Sequence, residues 1–136
     1  MSGLILKLRP GERVLINGAV IENGDRRARL GILTPGAHIL RLRDAIHPDD
    51  ATTPTGRLCY LAQLIIAGEA EPEEGLARLS QGVEQLGQVF TSGDGHVLLT
   101  EAKWHLDCGQ TYKALRKLKS LMPIEAALFE LSAMRA

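Results

Sequence analysis

Of the 16 Lys and Arg residues in this 136-residue sequence, eight stand before position 47: Lys7, Arg9, Arg13, Arg26, Arg27, Arg29, Arg41 and Arg43. Only Glu12, Glu22, Asp25 and Asp44 oppose them there, so the first third is basic. The remainder, with eight cations against twelve acids, is acidic, and the formal charge of the chain is zero. The chemistry open to such a set is electrostatic: it can hold anions, phosphates above all, because affinity for phosphate follows local charge rather than the chain total. A solvated sheet face explains the same composition equally well.

Other chemistries find no such concentration. His38, His47, His96 and His105 do not fall at metal-ligand spacing as a set. Cys59 and Cys108 lie far apart, each in a helical pattern, so two buried thiols are expected rather than a redox pair or a zinc site. His105, Asp107 and Cys108 offer a base and a nucleophile by type, yet neighbours on a helix point to different sides. Adjacent acids, Asp49-Asp50 and Glu73-Glu74, suit a loop and a helix start. No phosphate loop, dinucleotide fingerprint or zinc-protease motif occurs. The sequence therefore predicts a protein that is not an enzyme and needs no cofactor and no metal.

The basic residues need a scaffold, and the pattern around them is that of short strands. Leu4, Leu6 and Leu8 alternate with Ile5, Lys7 and Arg9, the period of a strand half in contact with water. Pro10-Gly11 breaks the run, Val14-Leu15-Ile16 ends at Asn17-Gly18, and Ala19-Val20-Ile21 ends at Asn23-Gly24. The chain returns through Arg29 to Leu33, turns at Pro35-Gly36 and leaves through Ile39 to Arg43. Asn-Gly tolerates the positive φ of a tight hairpin, so this stretch predicts a small antiparallel sheet.

Beyond His47-Pro48-Asp49-Asp50 the pattern turns helical. Thr53-Pro54 reads as an N-cap and a first-turn proline, and Arg57 to Ala67 is apolar nearly all round, as in a helix covered on most sides. Glu71-Pro72-Glu73-Glu74 opens a second helix, whose stripe of Leu76, Leu79, Val83, Leu86 and Phe90 suits packing within its own module or a coiled-coil seam. Thr91 to Gly95 reads as a loop. A third helical region runs from about Val97 to about Leu118 with a break at Gly109, and a short last helix starts near Pro123 and carries Ile124, Leu128 and Leu131 on one face. The fold class is α+β: a small antiparallel sheet module over residues 1–47, then a module of about four helices over 48–136. Trp104 and Tyr112 are expected in the core. With aromatics at 4% of the chain, a stacking platform of the kind that reads single strands is not expected.

Residues LILKLRPGERVLING, RLGILTP and LRDAI resemble, in order and spacing, the CsrA family of small RNA-binding translational regulators. Over nearly its whole length, including CYLAQLIIAGEAEPEEGL, EQLGQVF and YKALRKLKSLMPIEA, the sequence resembles the FlbT family of post-transcriptional regulators of flagellin. The FlbT resemblance implies a protein that binds the untranslated leader of flagellin mRNA, blocks its translation and promotes its decay. The CsrA resemblance implies an edge formed by the first strand of one subunit and the last strand of its partner. Carried over, it gives Leu6, Lys7, Arg9 and Arg43 as RNA-binding residues. Leu8 stands where that family has Arg, and Arg41, on the same side as Arg43 in a strand, would compensate.

The alternative reading is a protein-interaction regulator that meets FlaF or flagellin without RNA, through residues such as Leu76, Leu79 and Val83. In either case a symmetric homodimer through the sheet is expected, because some forty residues of short strands bury little and leave Leu4-Ile5-Leu6 as a bare edge. Lys113, Arg116, Lys117 and Lys119 suit a helix C-terminus or a second phosphate contact. The first residues run straight into a strand, with no signal-peptide pattern, and no apolar stretch is long enough to span a bilayer, so a cytoplasmic location with no membrane partner is expected.

Overall fold

The computed structural model describes residues 4–135. Five strands precede four helices: β1 (Leu4–Leu8), β2 (Arg13–Ile16), β3 (Ala19–Glu22), β4 (Ala28–Ile32) and β5 (Ile39–Arg41), then α1 (Pro54–Ile66), α2 (Pro72–Gly87), α3 (Gly93–Asp107) and α4 (Thr111–Arg135). Two 3-10 turns, Leu42–Asp44 and Pro48–Asp50, join the halves. The α+β class is as expected.

The strands form two antiparallel sheets rather than one: β1 with β4, and β3-β2-β5 in that order. Asn17 and Gly18, with φ of 48° and 86°, make the hairpin between β2 and β3, the backbone that asparagine and glycine accept at least cost. Leu6, Leu8 and Val14 are buried where the two sheets meet, with Ile16, Leu30, Ile32 and Ile39 packed around them. Leu15 and Leu40, alternate residues on β2 and β5, point the other way and join the helical core. The β2–β5 pair is thus covered on both faces, which is why these short strands need a second sheet and the helices to persist.

In the helical half, Thr53 Oγ1 accepts from Gly56 N at 3.0 Å and Glu71 accepts from Glu73 N and Glu74 N, so both expected N-termini are capped. The α2 stripe packs inside the chain: Leu79, Val83, Leu86 and Phe90 are buried and Leu76 partly so. Two boundaries differ from expectation. First, α3 begins at Gly93, within the expected loop; Gly95 lies in it as a packing residue, since a Cβ there would stand 2.8 Å from the Phe90 ring. Second, α4 runs unbroken through Pro123 instead of restarting there.

Proline inside a helix forfeits a ladder bond at a cost of about 3 kcal/mol, which burial on either side offsets. Leu115, Leu118 and Leu121 are buried before it, and Glu125 after it reaches back so that its Oε2 accepts from Thr55 N in the first turn of α1 at 2.9 Å. Ile124 packs on the core, but Leu128 and Leu131, expected beside it, are exposed.

Candidate nucleic-acid interface

Three separate stretches bring their basic residues to one concave surface. Lys7, Leu8 and Arg9 come from β1 and its exit, Arg27, Ala28 and Arg29 from the start of β4, and Arg41 and Arg43 from the end of β5 and the turn after it. Together they line an open groove of about 640 Å³ in which six of the eight lining residues are cations and none is an acid. The alternation of β1 explains its share: Leu6 and Leu8 turn to the core, and Lys7 turns out. The register then sets Lys7 directly opposite Arg29. Like charges at that position repel, by about 0.2–1 kcal/mol, and an anion between them would reverse the sign.

One acid stands behind the groove. The Arg9-Pro10-Gly11-Glu12 turn, closed by Glu12 N donating to Arg9 O at 3.1 Å, folds the Glu12 side chain back, so that Oε1 accepts from Arg9 N at 2.9 Å. Its Oε2 accepts from Arg41 Nη1 at 2.7 Å and lies 3.8 Å from Arg43 Nε. The main-chain N–H of Arg9 foremost, and then the Arg41 guanidinium, hold the Glu12 carboxyl below its ordinary pKa against the opposing effect of burial. Arg41 Nη1 also donates to Lys7 O at 3.1 Å. Arg41 is therefore a strut between the sheets, its side chain 18% exposed, whereas Arg43 at 43% faces solvent.

Helix α4 anchors this end of the sheet. Arg41 N donates to Tyr112 Oη at 3.0 Å, the Tyr112 hydroxyl donates to Asp44 Oδ2 at 2.7 Å, and Lys119 Nζ donates to Arg43 O at 3.1 Å. Burial first, and the Asp44 carboxylate second, push the Tyr112 hydroxyl up to about 12, so it remains a donor at every physiological pH.

Of the five residues assigned from the sequence, Lys7, Arg9, Arg41 and Arg43 line the groove. Leu6 does not: it is 5% exposed, in the core between the sheets, so its side chain offers RNA nothing. Arg41 and Arg43 are not strand neighbours either, because β5 ends at Arg41 and Arg43 lies in the 3-10 turn; what unites them is Glu12. Arg27 and Arg29 were missed as site residues, since only the pairing of β1 with β4 brings them to Lys7. Glu12 was missed too, although the Gly-Glu after the first strand was a signal for it.

The family described as flagellar protein FlbT matches residues 4–129. The chain belongs to the FlbT family. It is 32% identical over 122 residues to the probable flagellum biosynthesis repressor protein FlbT of Caulobacter sp. (strain K31), covering 90% of this chain and 92% of that one. To the protein of the same name from Brucella abortus (strain S19) it is 30% identical over 127 residues, covering 93% and 82%. The Allorhizobium ampelinum protein of that name is 29% identical over 124 residues, covering 91% and 82%. No solved structure matches the chain.

Elsewhere in this FlbT-family chain the residues that suggested other chemistry do not converge. His105 Nδ1 lies 2.9 Å from Gln110 Oε1, Asp107 pairs with Lys103 at 3.5 Å, and Cys108 is exposed at the end of α3 rather than buried as expected. Among the described residues no three His, Cys, Asp or Glu side chains gather as metal ligands would, and no helix is long and apolar enough to cross a membrane. Trp104, expected in the core, is 60% exposed.

Proposed function

We propose that this protein represses flagellin synthesis after transcription, binding the 5′ untranslated leader of flagellin mRNA, blocking its translation and promoting its decay. The observation that carries the reading is the groove lined by Lys7, Arg9, Arg27, Arg29, Arg41 and Arg43, a concave surface of one sign. The relatives' name, flagellum biosynthesis repressor, supports the biological half of it. Glu12 pairs closely with Arg41, the strut, and more distantly with Arg43, and leaves Lys7, Arg9, Arg27 and Arg29 to phosphate. The protein-only alternative, acting on FlaF or flagellin, has less to stand on, because Leu79 and Val83 of α2 are buried in the chain's own core.

The test is a titration of a flagellin leader RNA at several salt concentrations with wild type, Arg29→Ala and Arg43→Ala. Each lost phosphate contact should lower the slope of log K against log salt by about 0.7 for a single strand. Equal affinities and slopes in all three proteins would remove the groove from RNA binding.

The same reading includes a symmetric homodimer through the sheet. Supporting it are Leu4 and Ile5, 53% and 60% exposed on a two-stranded sheet that has unpaired edges, and Leu33, 78% exposed just past the end of β4. A partner is not needed to bring Arg9 to Arg43, since one chain holds both in its groove. Light scattering should give twice the chain mass, falling to the monomer in an Ile5→Lys, Leu33→Asp double variant. A monomeric wild type at micromolar concentration would end the dimer proposal.

A further inference from the structure

A second basic groove, of about 410 Å³, lies between α3 and α4, lined by His105, Lys113, Arg116, Lys117 and Ser120. Lys117 is paired with Glu101 at 3.0 Å, while among the described residues Lys113 and Arg116 form no ion pair and are exposed. The position of this groove relative to the first is set by α4. Tyr112, Arg116 and Lys119 follow one another at helical spacing on one face. Tyr112 and Lys119 hold Arg41, Asp44 and Arg43, so Arg116 stands one turn from the rim of the sheet groove. The two grooves are joined by cations, Arg43 to Lys119 to Arg116.

Beside this groove is the chain's single tryptophan. Trp104 is 60% exposed, and its ring meets that of His105, which lines the groove, with centroids 5.2 Å apart at 67°. A large aromatic left in water at the edge of a basic groove is a poor use of apolar area in a monomer and a good one for stacking a nucleotide base.

We propose that the groove between α3 and α4 is a second single-stranded RNA site, in which Lys113 and Arg116 hold phosphates and Trp104 stacks a base, so that one RNA runs from the sheet groove across Lys119 onto the helices. This rests on the RNA-binding reading of the sheet groove and extends it. A leader crossing both grooves is read by more of its length than a short hairpin loop would be. The helical half then contributes affinity in addition to framework.

Two oligouridylates serve as probes, one just long enough for a single groove and one that spans both, with Trp104 fluorescence as the local reporter. The long RNA should quench Trp104, and the short one, bound in the sheet groove, should not. In a Lys113→Gln, Arg116→Gln variant the long RNA should bind about tenfold more weakly, with its salt slope lower by about 1.4 for two lost contacts, while the short RNA binds as before. Trp104→Ala should weaken the long RNA alone. If the long RNA binds wild type and the double variant with equal affinity and slope, yet more weakly to Arg29→Ala, the second site is excluded and the first stands. If neither RNA binds wild type at all, both fall together.

Discussion

Glu12 Oε2 stands 2.7 Å from Arg41 Nη1, with side chains 5% and 18% exposed, and this pair holds the turn after β1 against the end of β5. It is a shielded pair with a third partner, the Arg9 main chain, so its loss leaves charged groups without partners. Glu12→Gln should destabilise the chain by about 1–3 kcal/mol, measured by urea unfolding at neutral pH.

The same carboxyl gives a pH dependence. Its pKa in the folded chain lies below the ordinary 4.5, so the unfolded chain binds its proton first. The stability it contributes is present above the unfolded value and is lost as pH falls through the folded one. Wild type and Glu12→Gln should therefore differ at neutral pH and converge in acid. A gap that stays constant down to strong acid would contradict the assignment.

Arg29 separates function from stability. It faces Lys7 across the β1–β4 ladder, so Arg29→Ala relieves a repulsion and should leave the fold unchanged or more stable by a few tenths of a kcal/mol. RNA affinity should fall in the same variant. Loss of both stability and binding would make Arg29 a structural residue.

Glu125 is 3% exposed and accepts from Thr55 N at the start of α1, a carboxylate at the positive end of a helix. Glu125→Ala leaves that N–H unpaired inside the protein and should cost about 1–3 kcal/mol by thermal or urea unfolding, with RNA affinity of the folded fraction unaltered.

The two cysteines should label at different rates. Cys108 is exposed, whereas burial pushes the Cys59 thiol up to about 12, leaving almost no thiolate at neutral pH. A thiol reagent should modify one cysteine quickly in the native protein and the second only on unfolding. Rapid double labelling would show that α1 opens readily.

Local chemistry was enough to mark most of the local elements of this protein, though not all of their ends. The alternation from Leu4 to Arg9 marked the first strand, Asn17-Gly18 marked the hairpin between β2 and β3, and Thr53-Pro54 and Glu71-Pro72 marked helix starts. Each is written within a few residues, because pleat, turn and cap depend on near neighbours. The excess of cations before position 47 was equally plain. What tertiary structure decided were the meetings between distant residues. Leu30 pairs with Leu6, and so Arg29 reaches Lys7; Glu12 chooses Arg41 as a strut and leaves Arg43 exposed; Lys119 ties α4 to Arg43. The α3 sequence has apolar residues on several sides, Val97, Leu98, Leu99, Ala102, Trp104 and Leu106, so nothing local says which side is covered. Packing against α2 and α4 buries Leu99 and Ala102 and leaves Val97 and Trp104 in water. Pro123 makes the same point from the other direction: its local signal is to start a helix, and the burial of Leu118, Leu121 and Glu125 around it carries α4 through.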